Sequence, residues 1–418
     1  MPGCMLPAVM AAGMSTPAQL GLLAPGPRVG MVPPSAVKLV YGTPLAHRLD
    51  TKNFSIQWVS ASMSVSTARR VGEYMEEAWL ALVWGEGWMA PTSSDAYLLT
   101  VILDPSLGGT GLTLIVEDEA YPRGVPLMYI HPEWDNAPAF LTSLCAHEFS
   151  HALQFGHRDW YSGGGTESWY WEASAEWHAE QAQPSANTYA WSAQYYAAAP
   201  QADHYSLAGY HQYGMFLLNA YLDEYRIGSD GFRDIWQENQ DLDWTEEIAG
   251  AVGDEPAAIW AGFGAAYISE SLRESHLYTL PVTVDGTTAL EGWLGSHYIP
   301  LGAVSGEITL DGGVGAVVRG EQWVVFEGRA EIPSAEGEAW LVVVNPDPSP
   351  LRYSYSLGPE SDPDTGETER PGPVQELGSL SDLAGLKGRG CGCATGTTGR
   401  VGWYLMPMLL WRRRAARG

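Results

Sequence analysis

The chain has 418 residues, 45% of them hydrophobic, and its 49 acidic residues outnumber 22 basic ones for a formal charge of −27. That length exceeds one ordinary core and calls for two or three folded units with connecting segments. So negative a balance argues against nucleic acid or an anionic membrane as the main partner and fits a soluble exported protein, although an acidic surface also simply keeps a protein dispersed.

Residues 1–36 read as a leader that includes a possible signal peptide. An apolar stretch is followed by small residues around Thr16, Pro17 and Ala18 suited to a signal-peptidase site, but no Lys or Arg precedes it. Residues 37–275 read as one mixed unit. Phe54, Ile56 and Trp58 alternate with polar neighbours over 53–60, which predicts a half-buried strand. A helix is expected over 66–84, where Val71, Tyr74, Met75, Ala78 and Leu82 recur at helical spacing. Strands follow at 97–103, 112–116 and 127–131, then a helix through Phe140, Leu144, His147, His151 and Phe155 that opens at Pro138. Helices are also expected at 209–225 and 232–239, so strands precede helices in the order of an α+β fold.

From 276 to 358 the texture becomes short strands (280–284, 307–310, 323–326, 340–344, 352–356) between Gly- and Pro-rich turns, the pattern of a small all-β sandwich. Residues 359–388 are a flexible linker by composition. Residues 389–418 carry Cys391, Cys393, a short apolar run and an Arg-rich end, too short and too interrupted by Arg400 for a comfortable transmembrane helix. With Cys4 in the leader and Cys391 and Cys393 so close together, no disulfide framework is expected, and Cys145 is expected to be a buried structural thiol.

The chemistry lies in His147-Glu148-Phe149-Ser150-His151. On a helix, HExxH sets two imidazoles one turn apart on one face, with Glu148 beside them as a general base. A third ligand is needed, and Glu172, in the Ala- and Glu-containing segment 169–177 that Thr166 can cap, is the better candidate. Glu176, one turn further, can accept a hydrogen bond from the far nitrogen of His147 or His151. His157 is the alternative, six residues past His151, but position 154 is Gln where a sharp turn after the motif would call for Gly. No motif identifies an oxyanion stabiliser; Tyr161, His204, Tyr205, Tyr210 and His211 are candidates, each more readily explained as a packed or surface aromatic. His131 and His178 read as structural or exposed.

HExxH followed about twenty residues later by a Glu on a second helix resembles the gluzincins, the thermolysin-like zinc peptidases, over roughly residues 53–239. The resemblance implies a zincin-like domain with Zn2+ held by His147, His151 and Glu172, a peptide or protein substrate, and an edge strand above the cleft, expected at 127–131, along which an extended peptide pairs. The last thirty residues resemble the C-terminal sorting tails of myxobacterial surface proteins (MYXO-CTERM type), which implies a secreted or cell-surface protein that meets the membrane only through that tail. Two further readings stay open: a metzincin-type peptidase using His157, and a non-catalytic surface binding protein whose Trp residues, acidic surface and β-sandwich serve ligand binding, with at most a structural metal. The carboxylates also leave calcium binding open.

Overall fold

A computed structural model describes residues 38–61, 63–157, 168–237, 243–272, 280–284 and 289–358. The expected leader, linker and tail, Tyr161, Thr166 and the cysteines other than Cys145 lie outside these residues.

The described chain is a mixed α/β structure with separate small antiparallel sheets in its C-terminal region. Strands β1 (His47–Asp50), β2 (Phe54–Trp58), β3 (Tyr97–Leu103), β4 (Gly111–Asp118) and β5 (Tyr121–Ile130) form a sheet in the order β1-β2-β3-β5-β4. The inner strands β2, β3 and β5 run parallel, whereas β1 and β4 pair antiparallel. The sequence places the edge at 127–131, but residues 127–130 belong to β5, which pairs on both sides. The edge is β4, because the hairpin from β4 into β5 folds β4 back onto the outside of the sheet.

Helix α1 (Val65–Trp79) buries Val71, Met75 and Ala78 against one face of this sheet, and a π-helical turn (Leu80–Gly85) extends it as far as the periodicity implies. Gly72 sits where a Cβ would come within 2.8 Å of Thr51, so α1 approaches the β1–β2 turn as only glycine allows. Helix α2 (Pro138–His157) lies between the sheet and helix α3 (Ser168–Ala182) and is buried nearly all round, with Phe149 packed on Phe54 and Trp79. A helix enclosed on every side needs apolar residues on every side, which is why its sequence shows little amphipathic stripe.

Helices α4 (Tyr189–Ala198), α5 (His211–Gly214), α6 (Phe216–Tyr221), α7 (Gly228–Gln237), α8 (Trp244–Val252) and α9 (Pro256–Ile268) follow. The single helix expected over 209–225 is broken: Gly209 and Tyr210 have φ of 63° and 66°, and the chain passes through 3-10, α and π turns. Among the described residues no helix is long and apolar enough to cross a membrane.

In the C-terminal region, β6 (Ser296–Gly302), β8 (Val314–Arg319), β9 (Gln322–Phe326) and β11 (Ala339–Val344) form a sheet in the order β9-β8-β11-β6, and β7 (Glu307–Asp311), β10 (Arg329–Glu331) and β12 (Ser354–Leu357) form another in the order β10-β7-β12. Ile308, Leu310, Val317, Phe326, Leu341 and Val343 fill the core between them. The strand expected at 280–284 is reduced to a bridge from Thr283 to Tyr298. The opposite face of the four-stranded sheet packs on α9, where a Cβ on Gly264 would meet Val342 at 2.7 Å, so sheet and helices share one core.

His204 helps to fasten this junction. Its Nδ1 donates to the Trp293 carbonyl (3.2 Å), Thr245 Oγ1 lies 2.9 Å from its Nε2, and Asp203 accepts from the Trp293 amide. Burial lowers its pKa to about 4. A histidine near 6.5 when unfolded and near 4 when folded stabilises the fold fully above about pH 6.5 and loses that contribution as the pH falls toward 4. Replacing His204 by Gln should therefore cost about 1–3 kcal/mol at pH 7.5, and the cost should shrink on acidification from about 6.5 toward 4. Denaturant unfolding of both proteins across that range checks this, and a pH-independent difference would contradict it.

Candidate metal centre

The site forms where α2 and α3 cross. His147 and His151, one turn apart on α2, project their rings toward α3 with centroids 4.8 Å apart and planes at 86°. Glu172 and Glu176, one turn apart on α3, face them. His147 Nε2 lies 3.2 Å from both His151 Nε2 and Glu172 Oε2, and His151 Nε2 lies 3.7 Å from the same oxygen. These three ligand atoms all lie within 4.8 Å of one another, a cluster that could hold a metal ion.

The far side of each ring is also fixed. His147 Nδ1 lies 3.3 Å from Glu176 Oε2, and His151 Nδ1 lies 2.6 Å from Gln154 Oε1. Both acceptors call for a proton on Nδ1, so both Nε2 atoms face the shared point, where a metal ion would take the place of any proton they carry. Glu176 is in turn held by the Ser192 hydroxyl from α4 (2.5 Å), and the Gln154 amide reaches the Trp171 carbonyl (3.5 Å) on α3.

Electrostatics follow from burial and pairing. Burial alone would lower His147, but hydrogen bonds to Glu172 and Glu176 outweigh it and raise the imidazole to about 10. Burial would raise Glu172, yet the two imidazoles hold it well below the usual carboxylate range. Glu148, 4% exposed, is raised by burial against the opposing pull of His151 and His147. Its carboxylate turns to the edge strand, where Thr113 Oγ1 sits 2.7 Å from Oε2 and 2.9 Å from the Glu148 carbonyl. At Gly111, on the same strand, any Cβ would overlap the Glu148 carboxylate, so the strand closes on this group only because position 111 has no side chain.

His157 is not brought to the cluster. Helix α2 continues through it without a turn, and its ring lies edge-on to Trp88, 5.0 Å away, where burial and then Arg123 and Arg233 lower it to about 4. His178 also packs against Trp88, and His131 caps a 3-10 turn through the Glu133 amide. Cys145 is fully buried, and burial pushes its thiol up. Of the oxyanion candidates, His204 spends both nitrogens at the β-sheet junction, Tyr205 packs against it, and His211 is buried beside Tyr196 and bonded to the Tyr195 backbone. Tyr210 is exposed.

The tyrosine that does reach the site is Tyr213, whose hydroxyl donates to Glu172 and whose ring lies 6.1 Å from that of His147; the Glu172 charge and burial raise it well above its ordinary range. Sequence reading passed over Tyr213, Thr113 and Gly111 because no spacing relates them to HExxH. It met Gln154 only as a mismatch to a Gly, although a polar residue three positions after a ligand histidine is itself a signal for an orienting partner.

A model of a family described as a family of unknown function (DUF6055) matches residues 88–244, a span that takes in β3 to β5, both ligand helices and Tyr213. No curated protein matches the chain.

Replacing Glu172 by Ala should abolish stoichiometric metal binding and His157→Ala should leave it intact. Gln154→Ala and Glu176→Ala should each weaken divalent-metal affinity by about 10- to 100-fold. Competition against a chromophoric chelator measures all four.

Proposed function

We propose that the protein is a zinc-dependent peptidase with a zincin-like catalytic region, in which His147, His151 and Glu172 hold Zn2+ and Glu148 is the general base. The observation that carries the proposal is the convergence of three donors with a separate buried carboxylate that is not among them. Two imidazole nitrogens and one carboxylate are the donor set of zinc sites that keep a position for water. Zinc bound there would polarise a water and a substrate carbonyl.

The chain's own residues account for the remaining chemistry. Glu148, kept away from the ligand atoms by Thr113, takes the proton of the attacking water and delivers it to the leaving amine. Its raised pKa favours that second transfer. Tyr213, beside the cluster, is placed to donate to the carbonyl oxygen as it gains charge. The outer backbone edge of β4, which no strand among the described residues covers, is suited to pair with an extended peptide. The leader and tail of the sequence support work outside the cell or at its surface, on a peptide or protein substrate.

Glu148→Gln should retain zinc at wild-type stoichiometry and lose about 10²- to 10⁴-fold in kcat on a casein-type substrate. Tyr213→Phe should lower kcat by about 10²-fold with KM nearly unchanged. Elemental analysis beside steady-state kinetics checks both, and hydrolysis that survives Glu148→Gln sinks the assignment.

A further inference from the structure

The ligand cluster stands at one end of a continuous band of aromatic rings. From His147 the rings of Tyr213, Tyr210, Tyr195, Trp191, Phe140 and Trp134 follow one another at centroid separations of 6.1, 6.2, 5.4, 6.5, 6.5 and 4.5 Å. Each step is within ring-contact range. Phe140 and His147 are about two turns apart on α2, so the band flanks the N-terminal half of the helix that carries the ligands. A 2.5 Å hydrogen bond from Thr188 to Ser143 pins the start of α4, which bears Trp191 and Tyr195, to that helix.

The middle of the band is open. Trp191 is 55% and Tyr210 60% exposed. Tyr210 is also held at φ 66°, in the left-handed region that a bulky side chain rarely adopts and that tends to persist where it serves a site.

Charge selects the occupant. No Lys or Arg occurs between Arg123 and Arg158 or between Arg158 and Arg226, while the same stretches hold Glu133, Asp135, Glu172 and Glu176 among other acids. At the Trp134 end, Arg70 is bound in bidentate fashion by Asp135. The segments that build band and cluster therefore bring aromatic faces and carboxylates but no Lys or Arg, within a chain of net charge −27.

We propose that this band is a substrate subsite for the cationic side chains of basic peptides, with Lys or Arg stacked on the open faces of Trp191 and Tyr210 while the backbone reaches the His147–Glu172 cluster. A cation over an aromatic face gains from the ring quadrupole and keeps its outer side hydrated, which suits half-open rings; an apolar side chain gains chiefly from enclosure. The acidic field of the whole chain raises the local concentration of such peptides. Cleavage of the bound peptide rests on the peptidase reading, whereas the recognition is a binding property measurable without it.

The test is calorimetric titration of the full-length Glu148→Gln protein, loaded with zinc, with a Lys-containing peptide and with the same peptide carrying norleucine at each Lys. The Lys peptide should bind about tenfold more tightly, less so as salt is raised, and Trp191→Ala or Tyr210→Ala should each weaken it about three- to tenfold without affecting the norleucine peptide. Trp191→Phe should recover most of the loss, and Trp84→Ala, an exposed ring elsewhere, should change nothing. Equal binding of both peptides, a preference for norleucine, or binding of an oligosaccharide in place of either peptide overturns the proposal. Wild-type hydrolysis of casein, measured separately, reports on the peptidase reading alone: selective binding without hydrolysis removes that reading and upholds the subsite, and hydrolysis without selective binding does the reverse.

Discussion

Two imidazoles and three carboxylates are withdrawn from water where α2 meets α3, and their mutual compensation makes that burial tolerable. An unpaired buried charge costs several kcal/mol or more. Here each ring nitrogen of His147 and His151 faces a carboxylate, an amide oxygen or the other ring. The same pairing that satisfies the groups also sets their direction, because fixing Nδ1 on each ring obliges both Nε2 atoms to converge. A metal ion entering the cluster would meet donors already oriented, with little left to order.

The rest of the architecture serves this contact. The sheet and α3 enclose α2 along nearly its whole length, and the helices behind α3 merge with the four-stranded C-terminal sheet in one core. From the other side, β4 lies against the site at the sheet edge and contributes Thr113 and the space at Gly111. The edge strand is thus both a support for Glu148 and, among the described residues, a backbone edge without a further strand beside it. Because Thr113 and Gly111 lie on β4, Glu148 of α2 and this strand keep a fixed relation to each other.

Around this centre the aromatic side chains divide into two populations. Trp169, Trp177, Trp236, Trp244 and Trp260 are buried and pack the helices together, while Trp191 and Tyr210 stand at the surface next to the ligand helices. Composition alone does not separate these populations, although one is a core and the other a surface that meets solvent.

The sequence by itself determined the local parts: that α2 and α3 are helices, that His147 and His151 share a face, that Glu172 and Glu176 lie one turn apart, and that a β-rich region follows. These are consequences of 3.6- and two-residue periodicities, which act over a few neighbours. It misplaced the edge strand, joined α5 and α6 into one helix and passed over α4, α8 and α9: a hairpin's return path and a left-handed residue such as Tyr210 leave no periodic trace, α9 is buried almost all round, α4 carries little amphipathic stripe and α8 is only nine residues long. Only the tertiary structure decided that Thr113 meets Glu148, that Gln154 rather than a turn follows His151, that His157 lies against Trp88, and that Tyr213 completes the site. Those contacts join residues up to tens of positions apart, and chain spacing carries no information about which distant segments will share a surface until the core has brought them together.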